Sequence, residues 1–206
     1  MRTDAGEVPG DGENLRALLD QIFAAGREHD AREPEHARRL LNLEPDTAQL
    51  VSILLRNGQR RQVLEIGTSN GYSTIWLAWS VQRAGGRVIS VERDPAKQAR
   101  AERNLIRAGL RELVDLRCGD ATTIVATLHG PFDCVFFDAD RRSAPEQLSL
   151  LLPMLTPDVL LLADNALSHP EEIAGYLAAV AALPGVEHLV VPVGKGLSVA
   201  YRAGTA

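Results

Sequence analysis

A chain of 206 residues, 45% apolar and 24% charged, has ordinary globular composition and the length for one well-buried domain rather than two. Its net charge of −5 and pI near 5.6 argue against a general nucleic-acid or anionic-membrane binder. The polar N-terminus is not a signal peptide, no apolar run reaches membrane-span length, and Cys118 and Cys134 form no C-x-x-C pair, so a cytoplasmic, reducing location is the default expectation.

Residues 1–13 are rich in Gly, Asp and Glu and are expected to be disordered. Leu15 to Ala25 repeats its apolar residues at a helical period. Ala31 to Leu41 reads as a second, more charged helix. Asp46 to Leu55 reads as a third, capped by Asp46 or Thr47. This helical prefix, residues 14–58, either covers a ligand or partner or packs on a sheet edge.

The core, residues 59–206, alternates strands and helices. Gln62 to Ile66 is a short apolar run that reads as a buried parallel strand. The turn from Gly67 to Gly71 comes next, then a helix from Ser73 to Val81. Strand, glycine turn and helix form the nucleotide-binding corner of an open α/β sheet, where ligands sit beyond the carboxyl ends of the strands. The turn is G-x-x-x-G, not the G-x-G-x-x-G of dinucleotide enzymes. Further strands are expected at Arg87 to Val91, Leu113 to Leu116, Asp133 to Phe137 and Val159 to Ala163. Helices are expected over Pro95 to Ala108, Ala121 to Leu128, Pro145 to Leu155 and Pro170 to Ala182. His188 to Val193 and Leu197 to Arg202 are separated only by Gly194-Lys195-Gly196, too little for a crossover, so the sheet should close with an antiparallel hairpin. Both cysteines are expected to be small buried residues.

The strand ends carry the chemistry. Glu92 stands 25 residues after Gly67, where an acid accepts hydrogen bonds from ribose hydroxyls of any adenosine-bearing cofactor. Asp120 and Ala121 follow the third strand, where a carboxylate and a backbone N–H can read an adenine edge; Asp120 also suits a helix N-cap. Asp138 ends the fourth strand, and Asp164-Asn165 the fifth. Two carboxylates and an amide oxygen form a hard donor set suited to Mg²⁺, Mn²⁺ or Ca²⁺, although Asp and Asn are also common turn residues.

VLEIGTSNGYSTIWLA, ISVERDP, RCGDA, FDCVFFDAD, LLLADN and VVPVGKGLSVAYR occur in that order. The set resembles the cation-dependent O-methyltransferases, the family of catechol and caffeoyl-coenzyme A O-methyltransferases, over roughly Leu40 to Arg202. The resemblance implies a Rossmann-like class I methyltransferase fold with a seven-stranded, mainly parallel sheet and an antiparallel last strand. It further implies S-adenosylmethionine as methyl donor, a small hydroxyl acceptor and a homodimer. By motif position, Glu65, Gly67, Ser69, Gly71 and Ser73 would line the methionine end of the cofactor. Glu92 would take the ribose, Asp120 and Ala121 the adenine, and Asp138 the sulfonium side. Asp138, Asp164 and Asn165 would ligate the divalent cation.

The chain also departs from the family. The usual D-x-x-K lysine, a base near the reacting hydroxyl, is replaced by Arg141. A guanidinium keeps its proton and cannot serve as an ordinary base, but it can hold a forming oxyanion. The alternative for Arg141 is a surface pair with Asp140; His169 reads either as a solvated histidine before a helix or as a base. An NAD-dependent oxidoreductase and a non-catalytic cofactor binder are the competing functions.

Overall fold

The computed structural model describes residues 11–204. A single seven-stranded sheet runs in the order β3-β2-β1-β4-β5-β7-β6. Its strands are β1 (Gln62–Ile66), β2 (Arg87–Glu92), β3 (Val114–Cys118), β4 (Phe132–Phe137), β5 (Leu155–Ala163), β6 (Val186–Val191) and β7 (Leu197–Arg202). The first five are parallel, and β7 is antiparallel to both β5 and β6.

Among the described residues seven α-helices surround the sheet: α1 (Asp11–Arg32), α2 (Pro45–Asn57), α3 (Tyr72–Gln82), α4 (Pro95–Arg107), α5 (Ala121–Val125), α6 (Ala144–Leu151) and α7 (Pro170–Ala181). The two-residue alternation of strand side chains builds two cores. Val63, Cys134, Phe136, Leu160 and Leu162 join residues of α1 to α4 on one face. Leu64, Val135, Phe137, Leu161 and Ala163 join α5, α6 and α7 on the other. Because α3 lies between the sheet and the prefix helices, it is apolar nearly all round, with Ile75, Leu77, Ala78 and Val81 almost completely buried.

Several elements depart from the sequence expectation. Residues 1–10 of the expected disordered segment lie outside the described residues, while residues 11–13 already belong to α1. The second prefix helix does not form. Proline disfavours helical geometry at the preceding residue, so α1 stops before Glu33-Pro34. Beyond it the chain makes one 3-10 turn, His36–Arg38, within an extended strap. The Asp30 carboxylate fixes that strap by accepting from the N–H groups of Leu40 and Leu41, at 2.6 and 2.8 Å.

Helix α6 gives way at Pro153 to a 3-10 turn, Leu152–Met154, so β5 starts earlier than expected. Strand β6 ends at Val191 because Pro192 has no N–H to continue the ladder. Cys134 is buried as expected, but Cys118 at the end of β3 is exposed.

Candidate active site

The carboxyl ends of β3, β2, β1, β4 and β5 are tied edge to edge. Gly119 N–H donates to Glu92 O, Gly67 and Thr68 N–H to Val91 O, Asp138 N–H to Ile66 O, and Asp164 N–H to Phe137 O, all within 2.9–3.2 Å. These bonds set the strand-end residues in one row. The row opens onto a cleft of about 460 Å³, roofed by the strap at His36 to Leu43.

Gly67, Ser69, Ser73, Glu92, Asp120, Ala121, Asp138, Arg141 and Asn165 all line this cleft. Gly67 has φ of +110°, and a Cβ there would lie 2.3 Å from the carbonyl oxygen of Asp138. Its side chain is therefore excluded by the neighbouring strand end, whatever the ligand requires. Gly71, expected to line the cofactor, does not line the cleft. It starts α3 in the left-handed region, and its Cα faces Ala101 of α4.

Glu65 does not line the cleft either. It points under α3, fully buried, and accepts from the hydroxyls of Ser73, Thr74 and Ser90. Burial raises its carboxyl to about 6, against the opposing pull of those three hydroxyls. A folded-state value above the unfolded one means the native chain holds the proton longer. Stability from this group is therefore full below about pH 4.5 and declines as pH rises through 6, by roughly 1–2 kcal/mol. Chemical denaturation of wild type and Glu65→Gln between pH 4.5 and 7 checks this. The slope should flatten in the variant, and an unchanged slope would contradict it.

Glu92 is braced at both oxygens. Oε2 accepts from Ser69 N–H at 2.8 Å and Oε1 from Asp94 N–H at 2.9 Å. Each oxygen retains a second lone pair for a ligand hydroxyl. Asp120 caps α5 by accepting from the N–H and hydroxyl of Thr123, and the backbone bond leads in holding its carboxyl below the usual range. It meets the cleft while capping, so its two expected roles coexist geometrically.

Asp138, Asp164 and Asn165 come together at the ends of β4 and β5. Asp164 is 3% exposed. Its Oδ2 accepts from Asn165 Nδ2 at 2.9 Å, while Oδ1 is buried with no donor among the described residues. Burial raises Asp164 to about 6. Asp138 is pushed well above its ordinary value by burial first, then by Asp164 and Glu65. Burial and like charge outweigh the nearby Lys195 and Arg141 cations at these two carboxylates. Among the described residues no three His, Cys, Asp or Glu side chains converge, so any cation site here depends on the Asn165 amide.

Arg141 is not paired with Asp140. Its Nε and one terminal nitrogen both donate to Glu172 Oε2 on α7, at 3.0 and 2.8 Å. Asp140 instead accepts from Arg142 N–H and the Ser143 hydroxyl. His169 also lines the cleft, its Nδ1 2.8 Å from the Ser168 hydroxyl.

Sequence reasoning missed two contributions. One is the strap, whose Arg39 and Leu40 carbonyls accept from Lys97 Nζ and Ser69 Oγ, both at 2.6 Å. The other is Lys195 at the hairpin tip, which lines the cleft and pairs with Glu44 Oε1 at 2.8 Å. A lysine flanked by glycines at a strand-end hairpin was a visible signal; its partner, 151 residues away, was not.

The strand order with an antiparallel β7, and the acidic row at the switch between β1 and β4, define a Rossmann-like class I methyltransferase architecture. The chain belongs to the methyltransferase domain family, whose model matches residues 64–166. A catechol O-methyltransferase from Niastella koreensis is 37% identical over 131 residues, covering 62% of this chain and 59% of that protein. The chain spans between 50% and 59% of the length of the curated catechol O-methyltransferases it matches. The O-methyltransferase TomG of Streptomyces achromogenes, solved with SAM, is 30% identical with a TM-score of 0.76, covering 91% of this chain and 90% of that one. An O-methyltransferase of Bacillus cereus, solved in complex with SAH, is 27% identical with a TM-score of 0.77, covering 91% of both chains. Among the described residues, no helix is long and apolar enough to cross a membrane.

Proposed function

We propose that this chain is an S-adenosylmethionine-dependent O-methyltransferase, assisted by a divalent cation, acting on a small acceptor with vicinal oxygens such as a catechol. The carrying observation is the strand-end row: a braced Glu92 at one end of the cleft, and Asp138 and Asn165 at the other, with Asp164 buried behind them. The relatives solved with SAM and SAH support the donor, and the catechol O-methyltransferases the acceptor class. A homodimer belongs to the same reading, as do the absence of nucleic-acid and membrane partners.

The donor set fits a hard cation. Among the described residues Asp164 Oδ1 is a buried oxygen without a donor; Asp138 is held above its ordinary value by burial and then by Asp164 and Glu65, and Asp164 by burial and then by Glu44. Asp138, Asp164 and Asn165 would hold Mg²⁺, with Mn²⁺ or Ca²⁺ as alternatives. A bound cation supplies Lewis acidity that lowers the pKa of an acceptor hydroxyl.

The remaining work falls to the protein's own groups. Glu92 accepts from ribose hydroxyls and fixes the cofactor along the cleft. Asp120 and Ala121 bound its adenine end, and Ser69 and Ser73 its methionine end. Asp138 offers negative charge to the sulfonium. Rigid holding of methyl and acceptor oxygen in line contributes most of the rate in such a transfer.

The Arg141 guanidinium acts as a fixed positive charge beside the acceptor oxygen, anchored by Glu172. Arg141→Met should lower turnover about tenfold, roughly 1.4 kcal/mol of charge stabilisation, while SAH affinity stays within about twofold. Arg141→Lys should keep much of the rate, and higher pH should partly rescue Arg141→Met by ionising the acceptor directly. A pH–rate profile of Arg141→Met that overlays wild type would remove Arg141 from the reaction.

Thermal unfolding with S-adenosylhomocysteine or NAD tests the cofactor. At 100 times its dissociation constant, SAH should stabilise the chain by about 2.7 kcal/mol, and NAD should not. The reverse pattern would favour the oxidoreductase alternative.

A further inference from the structure

Lys195 faces the cleft but has no part in the chemistry proposed for it. It sits at the tip between β6 and β7, and its backbone is locked to the turn that carries Asp164 and Asn165. Its carbonyl accepts from Leu167 N–H and Ser168 N–H at 2.9 and 3.1 Å, and Gly196 O accepts from Ala166 N–H at 2.9 Å. The strand register places the same tip there, since Ala163 pairs with Ser198. The ammonium therefore stands in the acidic corner of the cleft.

The ammonium makes its 2.8 Å contact with Glu44, the residue preceding α2, and among the described residues Asp164 Oδ1 receives no donor from it or from any other group. Glu44 is held in turn by its place at the start of α2, where Gly194 packs against its Cβ and against Thr47. Lys195 thus lines the cleft with Asp138 and Asn165, its backbone bonded to the turn that follows Asp164, while its ammonium is drawn to Glu44 and away from the oxygen a cation would use. The Glu44 carboxylate acts on Asp138 and Asp164 in the sense opposite to the ammonium.

We propose that the Lys195–Glu44 pair sets the divalent-cation affinity of the strand-end carboxylates: Lys195 opposes cation binding by its charge, and Glu44 limits that opposition by holding the ammonium aside. The inference rests on the cation-assisted reading of the site. A unit positive charge several ångströms from a partly desolvated cation costs on the order of 1–2 kcal/mol, equivalent to about tenfold or more in affinity. A weak site of this kind would fill chiefly when the acceptor's own oxygens complete the coordination.

The test is Mn²⁺ binding, followed by the loss of the free-ion electron paramagnetic resonance signal. It uses chelator-stripped protein saturated with SAH, and no acceptor is needed. Lys195→Met should bind Mn²⁺ about tenfold more tightly than wild type. Lys195→Arg should stay near wild type, because the charge remains. Glu44→Gln should bind about tenfold more weakly, because it removes a carboxylate that acts on Asp138 and Asp164 and releases the ammonium toward them. Adding Lys195→Met to Glu44→Gln should recover part of that loss, and no recovery would assign the whole effect to the Glu44 charge and overturn the ammonium's role. The gain in Lys195→Met should vanish when Asp164→Ala is added, which places the effect at the strand-end carboxylates. Unchanged SAH affinity in Lys195→Met and Glu44→Gln shows that the fold is intact. A Lys195→Met affinity equal to or below wild type, with wild-type binding still sensitive to Asp164→Ala, overturns this inference and leaves cation assistance standing. No Mn²⁺ binding in any variant, with SAH bound in all, overturns both the inference and cation assistance.

Discussion

Glu92→Ala is expected to weaken SAH binding by about 10- to 150-fold, the 1.5–3 kcal/mol scale of hydrogen bonds to a charged group. Two losses combine. The ribose hydroxyls lose their acceptor, and the N–H groups of Ser69 and Asp94 lose theirs, at 2.8 and 2.9 Å. The glycine turn is then less well fixed against the end of β2. Glu92→Gln separates the two losses, since an amide oxygen can brace one N–H but adds a donor where acceptors are needed. Calorimetry giving unchanged affinity in a folded Glu92→Ala protein would remove Glu92 from the cofactor site.

Asp164→Ala is expected to reduce cation-dependent turnover by about 10³-fold, the several kcal/mol of charge stabilisation that a Lewis acid supplies. SAH affinity should hold, because Asp164 is buried and does not line the cleft. In excess chelator the variant should unfold at no lower temperature than wild type near pH 7. Asp164 is raised to about 6 by burial, so above that value its charge opposes folding and its removal relieves the cost. Full wild-type activity in chelator would contradict cation assistance.

The α/β core was legible because its strands are short apolar runs ended by glycine or acid, a pattern that local chemistry imposes on a doubly covered parallel sheet. Gln62–Ile66 has the bounds the sequence suggests, and the antiparallel hairpin follows from a tip too short for a crossover. The prefix was harder. Ala31 to Leu41 carries helix-forming residues, but Pro34 and the Asp30 carboxylate together turn it into a strap.

Within the cleft, motif position located Ser69, Ser73, Glu92 and Asp120 but did not reveal which way Glu65 points. Val63 and Glu65 share one face of β1, so Glu65 lies with the α3 side of the sheet, where Ser73, Thr74 and Ser90 surround it. Gly67 and Gly71 both had a ligand-facing reading: Gly67 does line the cleft, although a Cβ there would meet Asp138 O, whereas Gly71 lies against Ala101 outside it. Pairings such as Arg141–Glu172 and Lys195–Glu44 join distant segments and leave no local trace in the chain.

The most direct test of the central claim is transfer of a labelled methyl group from S-adenosylmethionine to a panel of catechols and single-hydroxyl phenols, with Mg²⁺ or with excess chelator. Labelled O-methyl product is expected from vicinal diols in Mg²⁺, with little from isolated hydroxyls and a large loss in chelator. SAH binding without methyl transfer to any vicinal diol, or equal transfer with and without chelator, would contradict cation-assisted methylation.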